Sequence, residues 1–164
     1  MVGSLYSHSG APFLTNGFYE DTTRFAFNTE LFFLLSRFRQ QQQLKQAKGL
    51  IISDYFFEKN AIFAKMNLKA EDHRIFNDVY QRFLPEVRQP DLIILLKADL
   101  ESLMRRIYFR DRRFERSLSP SYLEGLMNEY TQFFSSYTNV PILTIPTAGL
   151  DFVNDPRDYF PRSI

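Results

Sequence analysis

The stretch that most constrains the fold runs from Pro90 to Glu115, PDLIILLKADLESLMRRIYFRDRRFE. Its apolar run, Leu92 to Leu96, reads as a strand buried on both faces. Asp99 then stands as an N-cap for a following helix. That helix ends among five arginines, Arg105, Arg106, Arg110, Arg112 and Arg113. A buried strand feeding an arginine-studded helix end belongs to an α/β sheet. Its chemistry suits stabilising the charge on a phosphoryl group, because fixed guanidinium groups match phosphate oxygens. Yet G-x-x-x-x-G-K-[ST], the loop that cradles phosphates in many such folds, occurs nowhere in the sequence.

Composition narrows the partners. The 164 residues, 45% apolar, suit one globular domain with a sizeable core. A formal net charge of +1 gives no electrostatic basis for binding nucleic acid or a membrane surface. Cysteine is absent, which excludes disulfides, thiolate nucleophiles and Cys-based zinc sites. His8 and His73 lie far apart, so no metal site is expected on them. MVGSLYSHSGAPF lacks the basic and apolar regions of a signal peptide, and no run is long enough to span a bilayer. A cytoplasmic protein is the expectation. The 18 phenylalanines and 9 tyrosines point to core and helix interfaces.

Residues 1–17 are rich in Gly, Ser and Pro and read as a loop or fragment edge; residues 18–164 read as one domain. A helix is expected from Phe25 to about Gln46. Phe27, Leu31, Leu34 and Phe38 share its apolar face, while Phe32, Phe33 and Leu35 suggest burial on several sides. Gln40 to Gln43 read as its solvated end. Gly49 to Ser53 reads as a short buried strand ending at Asp54. Helices are expected over Phe56–Met66 and Asp72–Leu84. Ser119 and Pro120 open another helix, with Leu123, Leu126, Met127, Tyr130, Phe133, Phe134 and Tyr137 on its long apolar face. A third strand spans Ile142–Ile145. Alternation of apolar strands with helices gives an α/β fold with a parallel sheet. Only three strands are legible, and the deficit lies at the front of the chain.

Four segments carry a resemblance. FYEDTTRFAFNTELFFLLSRFRQQ resembles the helix of bacterial deoxynucleoside kinases with the pattern F-Y-E-D-x-x-R-[WF]-A-F…F-L-L-S-R. IISDYFFEKNAIFAKMNL resembles their D-[RY]-x-x-x-[DE]-x-x-x-F-A stretch. PDLIILLKADLESLMRRIYFRDRRFE resembles their fourth strand and lid, and LDFVNDPRDY their C-terminal segment. The likeness runs from about Pro12 to Tyr159 and is to deoxyadenosine/deoxyguanosine kinase-like members.

The resemblance implies a P-loop kinase-like three-layer fold lacking its first two strands. It implies transfer of the ATP γ-phosphate to the 5′-hydroxyl of a deoxynucleoside, with Mg²⁺ bridging the ATP phosphates. Tyr19 and Glu115 match the pair that meets the sugar 3′-hydroxyl. Glu30 falls where many members have a glutamine reading the base edge. Arg37 matches the arginine near the base, and Asp54 the acid at the end of strand three. Arg106, Arg110 and Arg112 match the lid arginines that reach the ATP phosphates. Three features depart from the family pattern. The first strand with its P-loop is missing, as is the second strand with the general-base glutamate, and Asp111 replaces the lid glycine. Tyr55 stands where many members have arginine.

This chain alone is therefore expected to be inactive. The alternative is a non-catalytic nucleoside-binding or assembly subunit; a thymidylate-kinase-like enzyme shares the arginine lid but not the FYED…FLLSR helix. Helix pairing makes the family's dimers, as the resemblance implies, and a homodimer is expected.

Overall fold

The structure, a computed structural model, describes residues 22–111, 115, 118–151 and 155–159, side chains of 22–24, 156 and 159 excepted. In order come α1 (Thr22–Leu44), α2 (Lys59–Asn67), α3 (Ala70–Phe83), β1 (Ile93–Lys97), α4 (Leu100–Arg110), α5 (Pro120–Ser136) and β2 (Ile142–Pro146). Short 3₁₀ turns follow α3 and β2, at Leu84–Glu86 and Pro156–Tyr159. These elements gather into two compact units. One holds the chain up to Arg88 together with Gly125–Phe133, and the other holds Gln89–Glu124 with the chain from Phe134 onward.

The first unit is helical. Leu34 of α1, Phe57, Ala64 of α2, Phe76 and Tyr80 of α3, and Val87 form its buried core. Phe27, Leu31 and Phe38 pack against that core, so the expected apolar face of α1 is the one that is used. Phe38 stacks on Phe83 with ring centroids 4.0 Å apart. The part of α5 in this unit reaches α2 through Phe63 against Tyr130 and through an ion pair from Lys65 to Glu129 at 2.6 Å.

The second unit holds the sheet. β1 and β2 pair in parallel, Ile93 opposite Ile142 through Lys97 opposite Pro146. Thr147 prolongs the ladder, its amide donating to the Lys97 carbonyl at 2.6 Å. Both expected caps form. Asp99 accepts from the Ser102 amide at 2.7 Å at the start of α4. Ser119 accepts from the Tyr122 amide at 3.1 Å at the start of α5, with Pro120 in the first turn.

Four expectations are corrected. Residues 49–53 form no strand, and Leu50 is 91% exposed; an apolar run becomes a strand only where a neighbouring strand accepts its hydrogen bonds, and none does so among the described residues. β1 is not buried on both faces, for Ile93 is buried while Ile94 is 55% and Leu96 62% exposed. The outer side of α1 is open, with Phe32 and Leu35 exposed. The glutamine run is not wholly solvated, because Gln41 is buried.

Candidate functional site

In the first unit the polar side chains converge on Tyr55. Glu30 and Arg37 lie seven residues apart on α1, which places them on one stripe about two turns apart. Glu30 is buried, and its Oε1 accepts from Asn67 Nδ2, at the end of α2, at 2.7 Å. Burial raises the Glu30 pKa above the ordinary carboxylate value, and the Asn67 hydrogen bond opposes the shift only in part.

The Arg37 guanidinium lies over the Tyr55 ring, 4.0 Å from its centroid, and donates to Gln40 Oε1 at 3.0 Å. Lys59, the first residue of α2, brings its ammonium to 5.4 Å from the same centroid. Two cations thus share one aromatic ring. Burial lowers the Lys59 pKa; the charge of Asp54 works against that shift and the charge of Arg37 adds to it. Burial pushes the Tyr55 phenol up, and the Glu30 charge adds to this while the Arg37 charge opposes it. The phenol donates to Asn60 Oδ1 at 2.8 Å, and Asn60 Nδ2 donates to the Phe57 carbonyl at 2.7 Å. Asn60 is buried and ties down the first turn of α2. Thr29, beside Glu30, is also buried, and its hydroxyl has no hydrogen-bond partner.

In the second unit Arg110 and Glu115 form an ion pair across the end of α4. Arg110 Nε and Nη2 approach Glu115 Oε2 at 2.9 and 2.7 Å. Asp111, between them in sequence, closes α4 in the left-handed conformation at φ 46°. That is the conformation a glycine adopts without strain. Arg106 instead turns its guanidinium to the segment after β2. It donates to the Thr147 hydroxyl at 3.1 Å, to the Thr147 carbonyl, and to the Leu150 carbonyl at 3.3 Å.

Of the expected site residues, Glu30, Arg37 and Asp54 belong to the first unit, and Arg106, Arg110 and Glu115 to the second. Tyr19 and Arg112 lie outside the described residues. The sequence reading overlooked Lys59, Asn60 and Asn67. Tyr55 precedes α2, so no helical periodicity linked it to Lys59 in the sequence. Asn67 carried no signal, because its partner lies on a different helix. Among the described residues, no group of three or more His, Cys, Asp or Glu side chains could hold a metal ion, and no helix is long and apolar enough to cross a membrane.

The deoxynucleoside kinase family model matches residues 4–161. A deoxyadenosine/deoxycytidine kinase from Bacillus subtilis (strain 168) is 30% identical over 146 residues, covering 84% of this chain and 67% of the relative. A deoxyguanosine kinase from the same organism is 31% identical over 151 residues, covering 87% and 72%. A solved deoxyadenosine kinase from M. mycoides with bound dATP matches the fold with a TM-score of 0.77 at 23% identity, over 93% of this chain and 80% of that one.

Proposed function

The chain belongs to the deoxynucleoside kinase family, and from that premise we propose that it supplies the nucleoside-binding part of an enzyme transferring the ATP γ-phosphate to a deoxynucleoside 5′-hydroxyl. The observation that carries the reading is the polar cluster around Tyr55, with buried Glu30 held by Asn67 and Arg37 laid over the ring. A buried carboxyl group is costly to maintain, and such perturbed groups gather where a polar ligand can use them.

In this reading Glu30 and Arg37 face the base, while Asp54 tunes the cation beside it. Tyr19 and Glu115 serve the sugar 3′-hydroxyl. Arg110 and Arg112 would meet the phosphates, where planar guanidinium donors match the transferred charge. Arg106 has most of its donors on Thr147 and Leu150, so its role is to hold the segment after β2 in place. Magnesium would neutralise phosphate charge. The sequence contains no phosphate-cradling loop, and positioning is most of what phosphoryl transfer asks of a protein. The chain by itself is therefore expected to bind nucleoside without turning it over. The exposed Phe32 and Leu35 on α1 support a homodimer, and the family resemblance supports a cytoplasmic setting.

Two measurements test this. Titration of the four deoxynucleosides by heteronuclear NMR should shift the amides of Tyr55, Lys59 and Asn67, and Arg37→Ala should abolish those shifts. Shifts that survive Arg37→Ala, or no shifts at all, overturn the site. Incubation with Mg-ATP should give no turnover near the ~1–100 s⁻¹ of kinases; a rate in that range overturns the inactivity of the isolated chain.

A further inference from the structure

Residues 50–53, Leu-Ile-Ile-Ser, lie between bends at Gly49 and Asp54 and join neither a helix nor a strand. Leu50 is 91% and Ile52 75% exposed, more than any other large apolar side chain described in the first unit. The backbone of the run is open as well. Among the described residues, no backbone–backbone hydrogen bond reaches residues 50–53, and Ser53 is engaged through its hydroxyl, with Tyr55. Open backbone groups beside exposed apolar side chains are a template for pairing with another strand. β-branched isoleucine suits that conformation.

The order of the charges selects the occupant. Residues 48–54 read KGLIISD. Turned antiparallel about Ile51, this segment complements a second copy of itself. Ile51 meets the partner's Ile51, and Leu50 meets the partner's Ile52. Lys48 lies at the end where the partner's Asp54 lies. The two-fold axis repeats each contact, so both ends carry a lysine with an aspartate, and four apolar side chains share one face. A parallel, in-register pair would instead gather Lys48 with Lys48 and Asp54 with Asp54. Lys48 and Asp54 are both exposed, and among the described residues neither makes an ion pair. The charge of Asp54 reaches Lys59 of its own chain without forming one.

We propose that residues 48–54 are an interface with a second copy of this chain, an antiparallel strand pair centred on Ile51. A pair of so few residues is marginal on its own. The contact therefore forms reversibly as concentration rises, and it is separate from the exposed side of α1.

The test is hydrogen exchange of the unmodified chain over a concentration series, read beside sedimentation velocity. Exchange along residues 50–53 should slow as concentration rises, in step with the associated fraction. Lys48→Asp and Asp54→Lys each bring like charges together at both ends of the pair. Each should raise the concentration needed for that protection about tenfold, the scale for two attractive cross-strand pairs made repulsive. Mixed in equal amounts, the two variants should regain it, because the acids of one then face the lysines of the other. Where Asp54→Lys fails to fold, Lys48→Asp alone carries the charge test. Protection that does not depend on concentration means that the run is covered within one molecule and overturns the proposal. Association that leaves exchange along residues 50–53 fast overturns it, as does protection unchanged in Lys48→Asp. A chain that stays monomeric across the series does so too.

Discussion

Replacing Tyr55 by Phe removes one atom and leaves everything the ring does in place. Arg37 and Lys59 keep their aromatic surface, at 4.0 and 5.4 Å from its centroid. What disappears is the 2.8 Å bond from the phenol to Asn60 Oδ1. Asn60 is buried and its amide nitrogen is committed to the Phe57 carbonyl, so its oxygen cannot turn elsewhere without breaking the second bond. A buried acceptor stripped of its donor costs about 1–3 kcal/mol. We expect Tyr55→Phe to lower unfolding stability by about 1–2 kcal/mol. Tyr55→Leu, which also removes the surface under two cations worth roughly 0.5–2 kcal/mol, should lower it by about 2–4 kcal/mol. Urea unfolding followed by far-UV circular dichroism measures both, with the slope against denaturant unchanged. A double-mutant cycle with Asn60→Ala isolates the bond and should give a coupling of about 1 kcal/mol. If Tyr55→Phe lies within about 0.5 kcal/mol of the unmodified chain, or the cycle is additive, the hydrogen bond does not hold the start of α2 and the reasoning is refuted.

Other expectations concern single side chains. The Glu30 carboxyl holds its proton more tightly when folded than at the free value of 4.5. The folded state therefore binds more protons above that pH, and stability falls as pH rises through the folded value. Glu30→Gln should flatten this part of a stability–pH curve, and an unchanged slope refutes it. Thr29→Val removes a buried hydroxyl with no partner and should raise stability by about 1 kcal/mol in thermal or urea unfolding; a loss would mean that the hydroxyl has a role. Asp111→Gly places glycine at φ 46° and should stabilise the end of α4 by up to about 1 kcal/mol, a destabilised variant being the contrary result.

The parts of the fold legible in the sequence were those set by neighbours along the chain. Asp99 and Ser119–Pro120 cap helices through bonds that span three residues, so composition and order sufficed. The core face of α1 followed from the spacing of Phe27, Leu31, Leu34 and Phe38. Residues 50–53 had the same apolar character as β1, but strand formation depends on a partner elsewhere in the chain, and a run of Leu and Ile does not report whether one exists. Gln41 reads as solvated from its polar neighbours, although its place on the helix turns it inward. Within the site, Glu30 drew attention as a carboxylate in an apolar helix. Its partner Asn67 could not, since an asparagine at a helix end is ordinary until the fold brings it to 2.7 Å from a buried acid.

The parallel pairing of β1 with β2 also bears on the order of events in folding. Ile93 meets Ile142 only after all of α4 and α5 has been laid down between them. Closing so long an intervening stretch costs entropy before any ladder bond repays it, so this pairing belongs to the slow phase. The helices of the first unit rest mostly on nearer contacts and should form earlier. In the interval between the two events the apolar run of β1 is free to find the same run in another molecule. Dilute refolding should then give higher recovery than concentrated refolding, with the loss growing as the slow phase lengthens.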